Sequence, residues 1–441
     1  MNPLQVKRLR QLLWLYFWLL IFEGALRKWL LPGLSNPLLL VRDPVALLGL
    51  MWGWPLLQQR PWRAWLEPLL LITPLAFVLA ISIGHGDLFT AIYGCRILVL
   101  QLPLIFVFAS VFNRDDVIRF AWVLLWLSIP MALLIATQGT LPETHFLNVG
   151  PGGVDTAVFD GFGDRFRPPG TFTFISGVAS FFTMAAASLL VVLYGAQIGQ
   201  RGRLFCMAAG IALVVAVPVS ISRSLLAGYL TVMAATVVAL SLSRTPIARL
   251  VTGLVALAVA FGVATTVPAF QNSTEAFAGR WEAAGKLDRQ EVGDVGIAAN
   301  QLQTRLLPIL TGPLNNLGAV PLTGYGIGIG TNVGAQRLSG RRTFIVGEGA
   351  WERSLGELGV PLGLAFLLWR VSLAIWILRL ALRAATEGNR LPLILTGATF
   401  LDVLLGQLSQ PTGLGFIVLG AGLTLAACNR GPAMAEALPA A

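Results

Sequence analysis

The run LLAGYLTVMAATVVAL, Leu225 to Leu240, contains no charged residue and no alternation of polar with apolar positions. A membrane β-strand alternates the two over ~10-residue segments. A continuous apolar run longer than that reads as a helix, whose backbone groups are all satisfied within the segment and can therefore sit in lipid. Similar runs occupy most of the chain: Leu12 to Leu31, Leu38 to Leu57, Trp65 to Ile83, Leu88 to Phe112, Val117 to Thr137, Phe172 to Leu193, Phe205 to Val219, Leu225 to Leu242, Ile247 to Ala269, Leu355 to Leu380, Leu391 to Leu408 and Leu414 to Cys428. About twenty apolar residues cross a bilayer. The pattern predicts an all-α fold, a polytopic transmembrane helix bundle of about 12 spans, with residues 1–441 forming a single integral membrane domain.

Composition agrees. Of 441 residues, 56% are hydrophobic and 12% charged, and mean hydropathy is +0.76. Soluble domains carry about 25% charged residues; half that density leaves too little polar surface to cover a globule in water. The net charge of +10 then points to basic cytoplasmic loops rather than to nucleic acid. With the N-terminus and its Lys7, Arg8 and Arg10 inside, Arg60 and Arg63, Arg114 and Arg119, Arg201 and Arg203, Arg244 and Arg249, and Arg379, Arg383 and Arg390 all fall in inner loops. Twelve spans return Arg430 to the same side, so both termini are expected in the cytoplasm of a cell with this chain in its inner (plasma) membrane. The N-terminal apolar run has no small-residue cleavage site and ends in Glu23, Arg27 and Lys28, which reads as an uncleaved first span.

The three cysteines, Cys95, Cys206 and Cys428, match no zinc or redox spacing and read as apolar packers. Two histidines, His85 and His145, exclude a His-rich metal site. No metal and no cofactor is expected.

Two loops on the outer side are long, 138–170 and 271–354, the second lying between spans nine and ten. Loops beyond about 15 residues are commonly functional. The stretch Gln301 to Leu317 has the pattern of a helix lying near the membrane. Basic residues on this side break the positive-inside pattern: Arg27 and Lys28, Arg96 in the fourth span, Arg165 and Arg167, Arg223 at the mouth of the eighth span, and Arg280, Arg289, Arg305, Arg341, Arg342 and Arg353. A guanidinium at bilayer depth costs about 2.5–3.5 kcal/mol on insertion scales, so it either pairs internally or lines a wet cavity. Glu23 and Arg27 are spaced to bridge on one helix face, and Arg42 stands beside Asp43. Arg223 has no acidic neighbour in sequence, and Arg167 shares Asp164 with Arg165. Arginines converging on one face suit a phosphate, because the planar fork donates two parallel hydrogen bonds.

GYGIGIG, Gly324 to Gly330, lacks the strand and spacing of a dinucleotide fingerprint and the Lys-Ser/Thr of a P-loop. It reads either as a flexible turn or as a backbone, through Gly324, Gly326, Gly328 and Gly330, that approaches a ligand closely. Behind it Glu348, Glu352, Arg353 and Glu357 cluster where the chain enters the tenth span. A carboxylate there reads as a general base for a hydroxyl or as a counter-ion; Glu352 is placed to pair with Arg341 or Arg342.

RPPGTF (Arg167 to Phe172), SRSLLAGYL (Ser222 to Leu230), and PLTGYGIGIGTN (Pro321 to Asn332) followed by ERSLGELGVPLG (Glu352 to Gly363) together resemble the O-antigen ligase and O-antigen polymerase superfamily. Their order and the long outer loop fit as well, over roughly Arg165 to Leu380. The resemblance implies a metal-independent, membrane-embedded glycosyltransferase with a polyprenyl-diphosphate-linked glycan donor and a glycan or lipid acceptor, working beside other polysaccharide-assembly proteins. It implies diphosphate binding by Arg167 and Arg223, with Arg96 and Arg353 placed by charge on the same side. Ligases of this kind carry a His eleven residues before the Gly matching Gly359; here that position is Glu348. Glu348 is therefore the candidate catalytic base, and the departure favours a polymerase of surface polysaccharide over a ligase that uses lipid A core. A transporter or flippase of a lipid-linked or anionic substrate is the alternative of another class.

Overall fold

The computed structural model describes residues 2–59, 61–153, 160–162, 165–246, 273–279, 317–340, 346–347 and 349–429, with residues 248, 251, 262, 271, 311 and 312 besides. Most of the ninth run from Ile247 to Ala269, most of the Gln301 to Leu317 stretch, the arginines Arg280, Arg289, Arg305, Arg341 and Arg342, and the candidate base Glu348 lie outside the described residues.

Among the described residues, ten helices are long and apolar enough to cross a membrane. In chain order the elements are α1 (Pro3–Ala25, prolonged by a π turn, Leu26–Leu30), α2 (Arg42–Leu57), α3 (Trp62–Ser82), α4 (Leu88–Val111, with a π turn at Ile97–Gln101), α5 (Arg114–Thr140), α6 (Ile175–Gly195), α7 (Gln200–Ser220), α8 (Arg223–Leu242), the short α9 (Asn332–Ser339), α10 (Ala350–Thr386), α11 (Leu391–Leu405) and α12 (Pro411–Cys428). A small antiparallel ribbon, Asp160–Phe162 against Arg165–Phe166, precedes α6.

The buried centre is built on α12 and α6, with 83% and 78% of their apolar windows covered by protein, against 22% for the stretch containing α2. Small residues let α12 pack closely. A side chain at Gly420 would run into Thr399 of α11, and one at Gly422 into Phe108 of α4. Their absence lets neighbouring backbones approach and gain dispersion contacts, the main attraction between helices in lipid.

Polar side chains tie helix ends into two groups. At the end holding the N-terminus, the Arg10 Nη2 donates to the Val111 carbonyl (3.0 Å), Arg114 Nη2 to Gly195 (3.1 Å), and Asn429 Nδ2 to Ala109 (2.7 Å). At the opposite end, Lys28 Nζ donates to the Gly170 carbonyl (2.5 Å) and the Ser176 hydroxyl lies 3.1 Å from Gln410 Oε1. These are the pairings that an up-and-down bundle of alternating helices produces.

Most helix ends differ from the sequence reading by a few residues, α1 beginning nine residues earlier, at Pro3, and two helices differ in ways that bear on the site. α10 runs from Ala350 to Thr386, longer than Leu355 to Leu380, and is broken at Gly359, whose φ of 76° is outside the helical region. α11 stops at Leu405 instead of Leu408. At 1.5 Å per residue it spans about 22 Å, short of a ~30 Å hydrocarbon layer. The segment from Gly406 to Gln410 then runs without helix to α12.

Candidate functional site

The end of the bundle opposite the N-terminus carries a buried charge network. Arg42 Nε donates to Glu23 Oε2 (2.8 Å) and Arg27 Nη1 to Glu23 Oε1 (3.4 Å). Asp43, instead of pairing with its neighbour Arg42, accepts from Arg96 Nη1 (2.5 Å) and from Gln101 Nε2 (2.7 Å). Tyr16 donates its hydroxyl to Gln101 (2.8 Å). Successive residues on a helix point ~100° apart, so Arg42 and Asp43 reach different partners. The two π turns matter here: Arg27 and Lys28 sit in one, and Gln101 closes the other. A π turn rotates side chains off the regular helical stripe, and such turns recur at functional positions.

The RPPG segment docks against this network. Lys28, 2% exposed, donates to the Gly170 carbonyl, while Gln138 Oε1 accepts the Gly170 N–H (2.8 Å). The Thr171 hydroxyl donates to the Ile21 carbonyl (2.8 Å). Arg167 therefore stands three residues ahead of a point, Gly170–Thr171, that is held from both sides. Arg223 is the first residue of α8, separated from α7 by only Ile221 and Ser222. Ile221 is left-handed, with φ 48° and ψ 37°. For a β-branched residue that conformation is an outlier, costing about 1–3 kcal/mol, and it persists where the surroundings over-determine it. α6 and α8, which follow Arg167 and begin with Arg223, pack on each other.

The glycine loop has a specific protein partner. Pro361 has no N–H to give the Glu357 carbonyl, and Gly359 leaves the helical region, so the Gly356 and Glu357 carbonyls lack helical partners. The loop supplies them: Tyr325 N–H donates to Gly356 (2.7 Å) and Gly326 N–H to Glu357 (3.2 Å). The Glu357 side chain returns the contact, its Oε1 accepting the Gly330 N–H (2.7 Å). On its other side the loop meets α4, where a side chain at Gly94 would strike the Gly328 backbone and one at Gly328 the Thr90 carbonyl. The loop glycines thus serve a close backbone approach, and the approach that is seen is to two helices.

Gly359→Ala tests this lock. A Cβ there would fall on the Leu322 carbonyl and the Gly324 nitrogen, and the backbone would remain at positive φ. The backbone conformation alone costs about 1–3 kcal/mol. The expected result is a lower melting temperature and faster amide exchange over Leu322 to Gly330, with Gly33→Ala, in open space, unchanged. Equal behaviour of the two variants refutes the lock.

A second fastening lies outside the spans. Arg337 of α9 forks onto Asp87, Nε to Oδ1 (3.1 Å) and Nη2 to Oδ2 (2.9 Å). His85 accepts the Asp87 N–H on Nδ1 (3.0 Å) and faces the Ile327 carbonyl through Nε2 (3.1 Å), which fits the tautomer protonated at Nε2. The Arg337 hydrogen bonds, then those from Thr90, hold the Asp87 carboxyl well below the usual carboxylate range. A depressed folded value means that the contribution is complete above the ordinary carboxylate range and lost only as pH falls through the depressed one. Amide protection of 327–337 should therefore stay constant from about pH 5 to about pH 8, and Asp87→Asn should reduce it. Protection that drops in the wild type across that window contradicts this assignment.

Between the loop, the helix break and the link to α12 lies a cavity lined by Ile327, Arg353, Glu357, Arg370, Gln407 and Ser409. Arg353, 4% exposed, donates Nη1 to Gln407 Oε1 (2.9 Å) and the Ser409 hydroxyl (2.7 Å), and Nε to the Gly347 carbonyl (3.0 Å). Arg370, 2% exposed, caps α11, its Nη2 donating to the Val403 (2.8 Å) and Gly406 (2.9 Å) carbonyls. Its Nη1 is buried and has no hydrogen-bond partner among the described residues. Two buried guanidiniums beside one carboxylate make a basic, polar cavity, suited to an anionic or heavily hydroxylated group.

The structure brings Arg353 and the loop of Gly324, Gly326, Gly328 and Gly330 to one place. It turns Arg96 away to Asp43 and onto the Tyr93 ring, 3.9 Å from its centroid. Glu352 caps α10, accepting the Gly349 N–H (3.2 Å). Among the described residues no cluster of three metal-ligating side chains occurs. Sequence reasoning passed over Arg370, Gln407 and Ser409. The charge in FLLWRVSLAIW was a signal for the first, since an arginine inside an apolar run has a polar partner or a function. No protein-family model and no curated protein sequence matches the chain.

Proposed function

We propose that the protein is a glycan polymerase. It joins polyprenyl-diphosphate-linked oligosaccharide repeat units into a surface polysaccharide at the outer face of the inner membrane, by metal-independent glycosyl transfer. An acceptor hydroxyl attacks the anomeric carbon, the glycosidic C–O bond forms, and the bond to the lipid diphosphate breaks with its electron pair leaving on the phosphate oxygen. Charge grows on that oxygen in the transition state, which is where fixed cationic donors have most effect. The observation that carries the reading is the gathering of buried basic groups at one end of the bundle: Arg353 and Arg370 in one cavity, Lys28 against the RPPG segment. Arg167 and Arg223 are the proposed diphosphate ligands. Glu348 remains the proposed base.

One observation favours a transporter of an anionic or lipid-linked substrate: α10 is discontinuous at Gly359, and interrupted helices build transport sites. The break lies near the start of a 37-residue helix instead of its middle, which argues for a site at the surface. Transfer to lipid A core by a ligase uses the same donor chemistry. Deletion in the native host with gel analysis of surface glycans separates the three. A polymerase defect leaves single repeat units on the acceptor. Bare acceptor with lipid-linked polymer indicates a ligase, and units trapped inside indicate a transporter.

A further inference from the structure

The end of the bundle that holds the N-terminus, opposite the proposed site, contains a second cavity, of about 680 Å³. Its walls are the start of α5 and the end of α6, the turn between α10 and α11, and the end of α12, with Arg114, Asp115, Tyr194, Glu387, Asn389 and Arg390 facing it. The walls are tied together: Arg114 Nη2 donates to the Gly195 carbonyl (3.1 Å), Asn389 Nδ2 to Ala427 (2.8 Å), and Asn429 Nδ2 to Ala109 (2.7 Å). The turn is made by Gly388, whose φ of 88° only glycine adopts at no cost.

Two polar atoms in these walls are buried and have no hydrogen-bond partner among the described residues, the Asn389 carbonyl oxygen Oδ1 and the Arg390 Nε. An unmet buried donor or acceptor costs about 1–3 kcal/mol, and here one of each belongs to a residue that lines the pocket. The size is that of a small-ligand site. The chemistry is mixed: guanidiniums at Arg114 and Arg390, carboxylates at Asp115 and Glu387, and an amide acceptor at Asn389. A plain anion would be repelled by the carboxylates, and a plain cation by the arginines. The cavity lies where four helix ends meet, at headgroup depth if these helices span a bilayer.

We propose that this cavity binds a phosphoethanolamine group, the headgroup of a zwitterionic phospholipid, with the phosphate on Arg114 and Arg390 and the primary ammonium on Asp115 and Glu387. Arginine forks match phosphate oxygens, and a primary ammonium has three donors to share among the acceptors. The site is independent of the glycan reading and does not use its residues.

The test uses the purified full chain in detergent. Short-chain phosphatidylethanolamine, phosphatidylglycerol and phosphatidylcholine with the same acyl chains are titrated while thermal stability is followed. The ethanolamine lipid should raise the melting temperature most. The glycerol lipid lacks the amine, and the choline lipid has no N–H to donate. Arg390→Gln should weaken the apparent affinity for the ethanolamine lipid by about 10- to 100-fold, the worth of a charged hydrogen bond, and Asp115→Asn should reduce the preference for ethanolamine over choline. Soluble phosphoethanolamine that binds as tightly as the lipid keeps the recognised group and moves its source to solution. Equal responses to the three lipids, or an unchanged affinity in Arg390→Gln, overturn the proposal. So does binding that appears only after removal of residues 430–441, since the tail would then be the occupant.

Discussion

Arg167→Ala and Arg223→Ala are each expected to abolish glycan extension while protein levels in the membrane stay near normal. Each side chain sits next to a segment whose geometry is already constrained. Arg167 precedes two prolines and Gly170, and Gly170 is held by Lys28 and Gln138. Arg223 opens α8 directly after the left-handed Ile221. Fixed donors aimed at a developing oxyanion are worth about 10²–10³ in rate apiece, and loss of either should put extension below detection on a gel. Lysine at either position should restore little, because a point charge lacks the bidentate fork. The assay is extension of a lipid-linked donor in isolated membranes, with protein amounts matched by immunoblot. Full rescue by lysine would show that charge alone is needed, and wild-type activity in both alanine variants would remove these residues from the site.

The largest stability effect is expected at Glu23. Its carboxylate is the common partner of Arg27 and Arg42, and the three side chains are 5–9% exposed. Glu23→Ala strands two buried cations and should cost about 3–5 kcal/mol, the usual penalty for breaking a buried ion pair from one side. Glu67→Ala is the control. The Arg63–Glu67 pair has the same i, i+4 spacing but side chains 67% and 59% exposed, and should be worth under about 1 kcal/mol. Melting temperatures of the two variants in the same detergent decide the matter. Equal losses would mean that burial is not what makes the Glu23 network matter. The loss at Glu23 should also disturb the RPPG segment, since Arg27, Lys28 and Gly170 are linked through α1.

The apolar runs were legible residue by residue because hydrophobicity is a local property: Leu225 to Leu240 needs no knowledge of its neighbours to be read as a helix in lipid. The pairing of Glu23 with Arg27 was legible for the same reason, since spacing on one helix fixes the distance. The basic groups at one end were legible as an excess of charge where lipid tolerates none. Their partners were not. Arg42 reads as Asp43's mate but bonds Glu23, and Asp43 goes to Arg96, 53 positions away. The glycine loop reads as a flexible turn or as a backbone free to meet a ligand, yet its N–H groups complete the helix that Gly359 and Pro361 interrupt. Arg370 reads as an intruder in an apolar run, and only the end of α11 beside it explains four of its hydrogen bonds. A buried polar group takes whichever partner the packing brings within about 3 Å, and which one arrives is decided by how the helices sit together.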